Sequence, residues 1–142
     1  MLRVLFPEES KPTLALLIRS VRLPLVPGIS KNRRWKTSYR SRCVYKTAEA
    51  RQADSLWAKM LRENTNWDVI KRLDVHLPYV RIYAIVNQPT QISDPSNCVD
   101  AICDVVKTVI PIDDKFYAIF LDWRVSERGN RSVDIEVWGK TF

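Results

Sequence analysis

The sequence predicts a single α/β (α+β) domain, a small mixed β-sheet carrying two main helices, and three observations predict it. Segments that alternate apolar and polar residues are interspersed with two segments whose apolar residues recur every three or four positions. The 142 residues, 46% hydrophobic and 27% charged, suffice to bury one core. No repeat, low-complexity tract or composition break divides the chain, so one domain over residues 13–142 is expected behind an N-terminal arm over residues 1–12.

Thr13 to Leu23 is rich in apolar and branched residues and stops at Pro24, which reads as the first strand. Leu25 to Tyr45 reads as a basic loop. Thr47 to Glu63 is the clearest helix, with Thr47 as N-cap and a stripe of Ala50, Ala53, Leu56, Trp57, Met60 and Leu61. Asn64 to Asp68 is a turn. Leu73 to Val86 alternates as a strand, with Val80, Ile82 and Ala84 on one side and Tyr79, Tyr83 and Ile85 on the other; Pro78 argues for an edge position or a bulge. After a polar loop over Asn87 to Ser93 comes a second helix, begun by Asp94-Pro95, in which Val99, Ile102, Cys103 and Val106 form the apolar stripe. Pro111 breaks it. Lys115 to Val125 is a strong strand, Glu127 to Asn130 a hairpin turn, and Val133 to Trp138 the returning strand.

Charge is distributed unevenly around a net +7. Met1 to Arg72 carries sixteen Lys or Arg against six Asp or Glu, whereas Leu73 to Phe142 carries seven against ten. The basic half attracts a polyanion. Its densest part is the loop, where Lys31, Arg33, Arg34, Lys36, Arg40 and Arg42 are interleaved with Trp35, Tyr39 and Tyr45 and no acid intervenes. Cations there meet phosphates and rings meet bases, with Trp35 a stacking candidate. Such a site suits RNA, duplex DNA or a branched form.

The acidic half concentrates its carboxylates at Asp94, Asp100, Asp104, Asp113 and Asp114. Asn97, Asp100, Asp104 and Lys107 share the face of the second helix opposite its apolar stripe. This cluster is either a metal site or a charged surface. A magnesium-dependent phosphodiesterase needs carboxylates converging from different elements, and Asp94 with Asp114 would supply them; equally, Asp94-Pro95 is an ordinary helix start and Asp113-Asp114 an ordinary turn. Asp122, eight residues beyond Asp114 and so roughly 26 Å away in an extended strand, lies outside any such site.

Asp94-Pro95-Ser96-Asn97, then Asp104-Val105-Val106, then Asp113-Asp114 before a strand, resembles the Asp-x-Asp-Asn-x-x-Lys, Asp-Ala-Leu and Asp-Asp signature of the RusA-like Holliday junction resolvases. Leu23-Pro24 followed by Ser30-Lys31-Asn32-Arg33 resembles that family's N-terminal loop, and the closing Val133 to Val137 strand fits, so the resemblance runs from about Thr13 onward. It implies a homodimeric, Mg²⁺-dependent endodeoxyribonuclease (Mn²⁺ substituting) that binds four-way DNA junctions and nicks two strands. The family's first aspartate falls on Asp94, its second on Ser96, its motif lysine on Asp100 and its third aspartate on Asp114; the basic residue on the following strand falls on Arg124. With Ser96 in place of a carboxylate, Asp100, one turn away, is the expected substitute ligand beside Asp94 and Asp114, with Asp113 adjacent. The rival readings are a junction-binding protein without catalysis and an ordinary basic nucleic-acid module.

Cys43, Cys98 and Cys103 lack CxxC spacing and lie far from the single histidine, His76, so free thiols in a reducing cytosol are expected rather than zinc or disulfides. His76 reads as a strand histidine. Neither a membrane span nor a secretory pattern is present in the sequence, and a cytoplasmic protein is expected.

Overall fold

Residues 15–89, 94–126 and 130–141 are described by the structure, a computed structural model. The expected arm over residues 1–12 and the turn centred on residues 127–129 lie outside them.

Over the described residues the fold is α+β: a four-stranded mixed sheet, a separate two-stranded sheet and three helices. In chain order these are β1 (Ala15–Pro24), β2 (Trp35–Ser38), β3 (Cys43–Lys46), α1 (Ala48–Arg62), α2 (Trp67–Lys71), β4 (Val80–Gln88), α3 (Val99–Lys107), β5 (Tyr117–Val125) and β6 (Ser132–Lys140). The large sheet runs β1-β6-β4-β5. β6 is antiparallel to both neighbours, and β5 is parallel to β4. Parallel neighbours need a crossover connection, and α3 provides it.

This order corrects two sequence expectations. β4 is neither an edge nor bulged: it is central and pairs in unbroken register with both neighbours, because Pro78 falls before Val80 and costs the ladder no donor. β5 and β6 do not pair as a hairpin; β4 lies between them. Asn87 and Gln88, expected in a loop, belong to β4, and Trp67–Lys71 extends the expected turn into a short helix capped by Asn66.

α1 forms as its sequence predicts: the Thr47 hydroxyl accepts from the Ala50 amide at 3.1 Å, and Ala50, Ala53, Trp57 and Leu61 are buried. Leu56 departs from the expected stripe and is exposed. Trp57 is fully buried and donates its indole N–H to the Pro24 carbonyl at 2.7 Å. Truncating such a residue to alanine costs about 3–5 kcal/mol. On α3 the buried set is Ala101, Ile102, Val105 and Val106, so the stripe is rotated from the expected one and Cys103 is only half-buried.

Alternation along the strands fixes the two sheet faces. Val80, Ile82, Ala84 and Val86 of β4 join Val133, Ile135 and Val137 of β6 in the core with α1 and α3. The opposite face carries Arg22, Asn87, Arg124, Asp134 and a stacked Tyr83–Phe120 pair with ring centroids 5.3 Å apart. All three cysteines are free. No helix among the described residues is long and apolar enough to cross a membrane.

Candidate nucleic-acid interface

The basic segment expected as a loop contains a hairpin. β2 and β3 pair in the register Trp35↔Lys46, Lys36↔Tyr45, Thr37↔Val44 and Ser38↔Cys43, joined by Tyr39 to Arg42. β-branched and aromatic residues at Trp35, Thr37, Val44 and Tyr45 favour these strands, a signal that the surrounding cations obscured. Neither strand contains a buried residue. Two-stranded ribbons have little stability of their own, so something outside the hairpin must hold it.

The anchor lies at its base. Arg34, immediately before β2, is fully buried; its guanidinium grips Asp54 of α1 through two parallel bonds of 2.9 and 2.8 Å, reaches Asp104 of α3 at 2.9 Å, and donates to the Gly28 carbonyl at 3.0 Å. Lys46, the last residue of β3, contacts the same two carboxylates at 2.9 Å each. Two cations thus join two acids, tying both ends of the hairpin to both main helices. Burial works against the charge on Arg34 and on Lys46, but their hydrogen bonds to Asp54 and Asp104 and the attraction of these carboxylates outweigh it and hold both pKa values above their ordinary ones. Paired and hydrogen-bonded, these buried charges are tolerated. Thr47 completes the clamp: its amide donates to the Arg34 carbonyl and its hydroxyl to the Arg33 carbonyl, each at 2.7 Å.

Arg34, expected to hold phosphate, therefore cannot; its side chain is interior. Asp104, assigned from the sequence to the motif's support, has partners 58 and 70 positions away, beyond the reach of any spacing rule. Lys31, Arg33, Lys36, Arg40 and Arg42 do stand exposed. Arg33 lies 3.6 Å from Glu49, while no ion pair among the described residues involves Lys36, Arg40 or Arg42. Trp35 sits at the base, 44% exposed, with the Lys46 ammonium 5.7 Å from its ring centroid. Tyr39, at the tip, is 95% exposed. Arg124 is not part of this surface: it bonds Asn87 and Asp134 on the open face of the sheet, where Arg22 meets the same carboxylate.

The carboxylates expected to share a metal do not gather. Asp94 caps a 3-10 turn over Pro95–Cys98 by accepting from the Ser96 amide at 2.9 Å. That bond, with the Ser96 side chain and the nearby Lys31 charge, lowers its pKa. Asn97 and Cys98 line a cavity with Gln88, Gly28 and Arg33, which places this end of α3 at the C-terminal end of β4. Asp113 and Asp114 stand at the other end, just before Tyr117, which pairs with Val80 at the start of β4. The 3-10 turn and α3 between them rise roughly 20 Å. Asp113 accepts from the Lys115 amide, which lowers its pKa, and Asp114 lies 3.7 Å from the Lys107 ammonium. Asp100 is exposed on α3 between the two ends. Asp100, Asp104 and Asp114 all act on Cys103, whose thiol is pushed up to about 11 by burial first and by these negative charges second.

Among the described residues no three His, Cys, Asp or Glu side chains form a group that could hold a metal ion. Asp94, Asp100 and Asp114 of one chain thus do not fit a single Mg²⁺ site. What the arrangement offers chemically is a projecting cationic and aromatic ribbon, with Asp94 at the margin of the same basic segment. No family model and no curated protein matches the chain.

Proposed function

We propose that the chain is a nucleic-acid-binding domain of RusA-like type that engages branched DNA through the β2–β3 hairpin. One observation carries the reading: a ribbon exposed along both strands presents Lys36, Arg40 and Arg42 outward, while the cations at its base are committed to Asp54 and Asp104. A ribbon so anchored meets phosphates at little conformational cost. Its narrow projecting form suits the gap between the arms of a four-way junction. The test is a binding titration of the full chain on a synthetic four-way junction and on a linear duplex of equal length, across a salt series. Tighter binding to the junction with a steep salt dependence supports the reading. Equal weak binding to both reduces the domain to a general basic module.

A second reading, Mg²⁺-dependent resolution of Holliday junctions by paired nicks from a homodimer, is favoured by the position of Asp94. Its carboxylate is exposed, and the charge of Lys31 from the basic segment acts on it. Mg²⁺ or Mn²⁺ would supply a polarised phosphate and an activated water. Nicking of the junction in either metal, abolished by EDTA and by Asp94→Asn, establishes this reading; tight binding without nicking leaves the first one alone. Light scattering of the free chain measures whether two copies associate.

A further inference from the structure

The sequence directs attention to Trp35 as the ring that meets a base. The structure points elsewhere. Trp35 is at the base of the ribbon, on the same face as Lys46, whose ammonium lies near its ring. A stacking platform must reach an opened base before the rest of the protein meets the backbone, and the base of a hairpin is the wrong end for that. The strands carry the chain roughly 10–13 Å out before it turns. At that turn sits Tyr39, an aromatic ring 95% exposed to water, followed by Arg40 and Arg42 and preceded by Lys36.

The tip is also shaped to point its side chains outward. Arg42 holds φ at +54°, in the left-handed region that favours glycine, and so closes the turn between Ser38 and Cys43. Ser41 donates its amide to the Ser38 hydroxyl across that turn at 3.3 Å. The hairpin base, clamped by Arg34, Lys46 and Thr47, fixes where the tip stands relative to the two helices.

We propose that Tyr39 is a base-stacking wedge: its ring enters the opening at a DNA branch point and stacks on an unpaired or unstacked base, while Lys36, Arg40 and Arg42 hold the phosphates on either side. Every base offers a π-face, so this contact selects unstacked geometry without selecting sequence. The charges draw in any polyanion, whereas the ring distinguishes a branch from a closed duplex. The proposal rests on the nucleic-acid reading above and names the residue that confers its structural selectivity.

The test uses the full chain with Tyr39→Ala, Tyr39→Phe and Tyr39→Trp, and a synthetic four-way junction carrying 2-aminopurine at the branch point. A matched duplex carries the probe internally. Because Tyr39 makes so little contact, all three variants should retain the wild-type melting temperature. The expected result is a fluorescence change at the branch on binding the wild-type chain, and roughly tenfold weaker junction binding for Tyr39→Ala with that change lost. The salt slope stays the same, since no phosphate contact is removed. Tyr39→Phe and Tyr39→Trp keep both affinity and signal.

Wild-type junction affinity and an unaltered fluorescence change in Tyr39→Ala would overturn the wedge while leaving the binding reading intact. Failure of the wild-type chain to bind the junction at low salt would overturn both. Tighter Tyr39-dependent binding to single-stranded RNA than to the junction would overturn the assignment to branched DNA.

Discussion

The cations at the base of the hairpin and those at its tip are the same residue types within one short segment, yet they do opposite things. Arg34 and Lys46 face inward and are held by Asp54 and Asp104; Lys36, Arg40 and Arg42 face solvent on a ribbon with no buried residue. The difference lies in what each can reach. α1 and α3 bring two carboxylates to the point where the hairpin leaves the domain, and beyond that point no acid follows. A run of positive charge is therefore not one structural unit: its ends build the support and its middle is left to solvent.

The sharpest way to break this comparison is Arg34→Ala beside Arg33→Ala. Removing Arg34 leaves Asp54 and Asp104 facing each other with Lys46 alone, and a loss of about 3–5 kcal/mol is expected in urea unfolding. Its exposed neighbour Arg33 should cost no more than about 0.5 kcal/mol. Equal costs would mean that the clamp on Asp54 and Asp104 gives Arg34 no more weight than an exposed cation beside it.

From the other side, the triple substitution of Lys36, Arg40 and Arg42 by alanine should leave the unfolding midpoint near that of the parent. Its effect belongs in binding. If all three contact phosphates of duplex arms, the plot of log affinity against log salt becomes shallower by roughly 2.7. An unchanged slope in a salt titration would remove the tip from the interface.

Arg42→Gly separates backbone from charge at a single tip position. Glycine relieves the left-handed conformation at φ +54°, and a stabilisation of up to about 1 kcal/mol is expected. The salt slope should still fall by about 0.9, the share of one cation. Calorimetry and the salt titration on one variant read the two effects.

The smallest effect is expected on the sheet's open face, where Arg22 and Arg124 share Asp134 at the surface. The hydrogen bond from Arg22, opposed by burial and aided by Asn87 and Arg124, holds the Asp134 pKa below its ordinary value. Such a carboxylate stabilises the fold above its unfolded pKa near about 4, and that contribution is lost as pH falls through its lower folded value. Asp134→Asn should therefore lower the melting temperature slightly at neutral pH and reduce its acid-side decline below about pH 4. An acid limb identical to the parent's would show that surface pairing here contributes nothing measurable.

The parts of this molecule that were legible in sequence are those decided locally. α1 announced itself through Thr47 and the spacing of Ala50, Ala53, Trp57 and Leu61, and the strand character of Val80 to Val86 through its alternation. Sheet order was not legible, because nothing in the composition of β6 states that it inserts between β1 and β4 rather than beside β5. Arg33 and Arg34 are chemically identical neighbours; only the arrival of α1 and α3 from elsewhere in the chain makes one of them interior. Asp94 and Asp114 looked convergent because sequence distance hides direction: α3 carries the chain from one end of the parallel pair to the other. The hairpin was missed because its strands are only four residues long, each carries a lysine, and Arg33, Arg34, Arg40 and Arg42 flank them, so the segment resembles a solvated loop.

Gly28 has a consequence in genetics. It adopts φ +95° and packs so tightly on the start of α1 that a β-carbon would lie 2.5 Å from the Glu49 carbonyl carbon and 2.6 Å from the Ala50 nitrogen; its own carbonyl receives Arg34. Any replacement strains the backbone, pushes on α1 and disturbs the clamp at once. Conditional, temperature-sensitive alleles should accordingly map to Gly28, whereas alleles at Tyr39 or Arg40 should weaken the proposed binding at every temperature without changing when the protein melts.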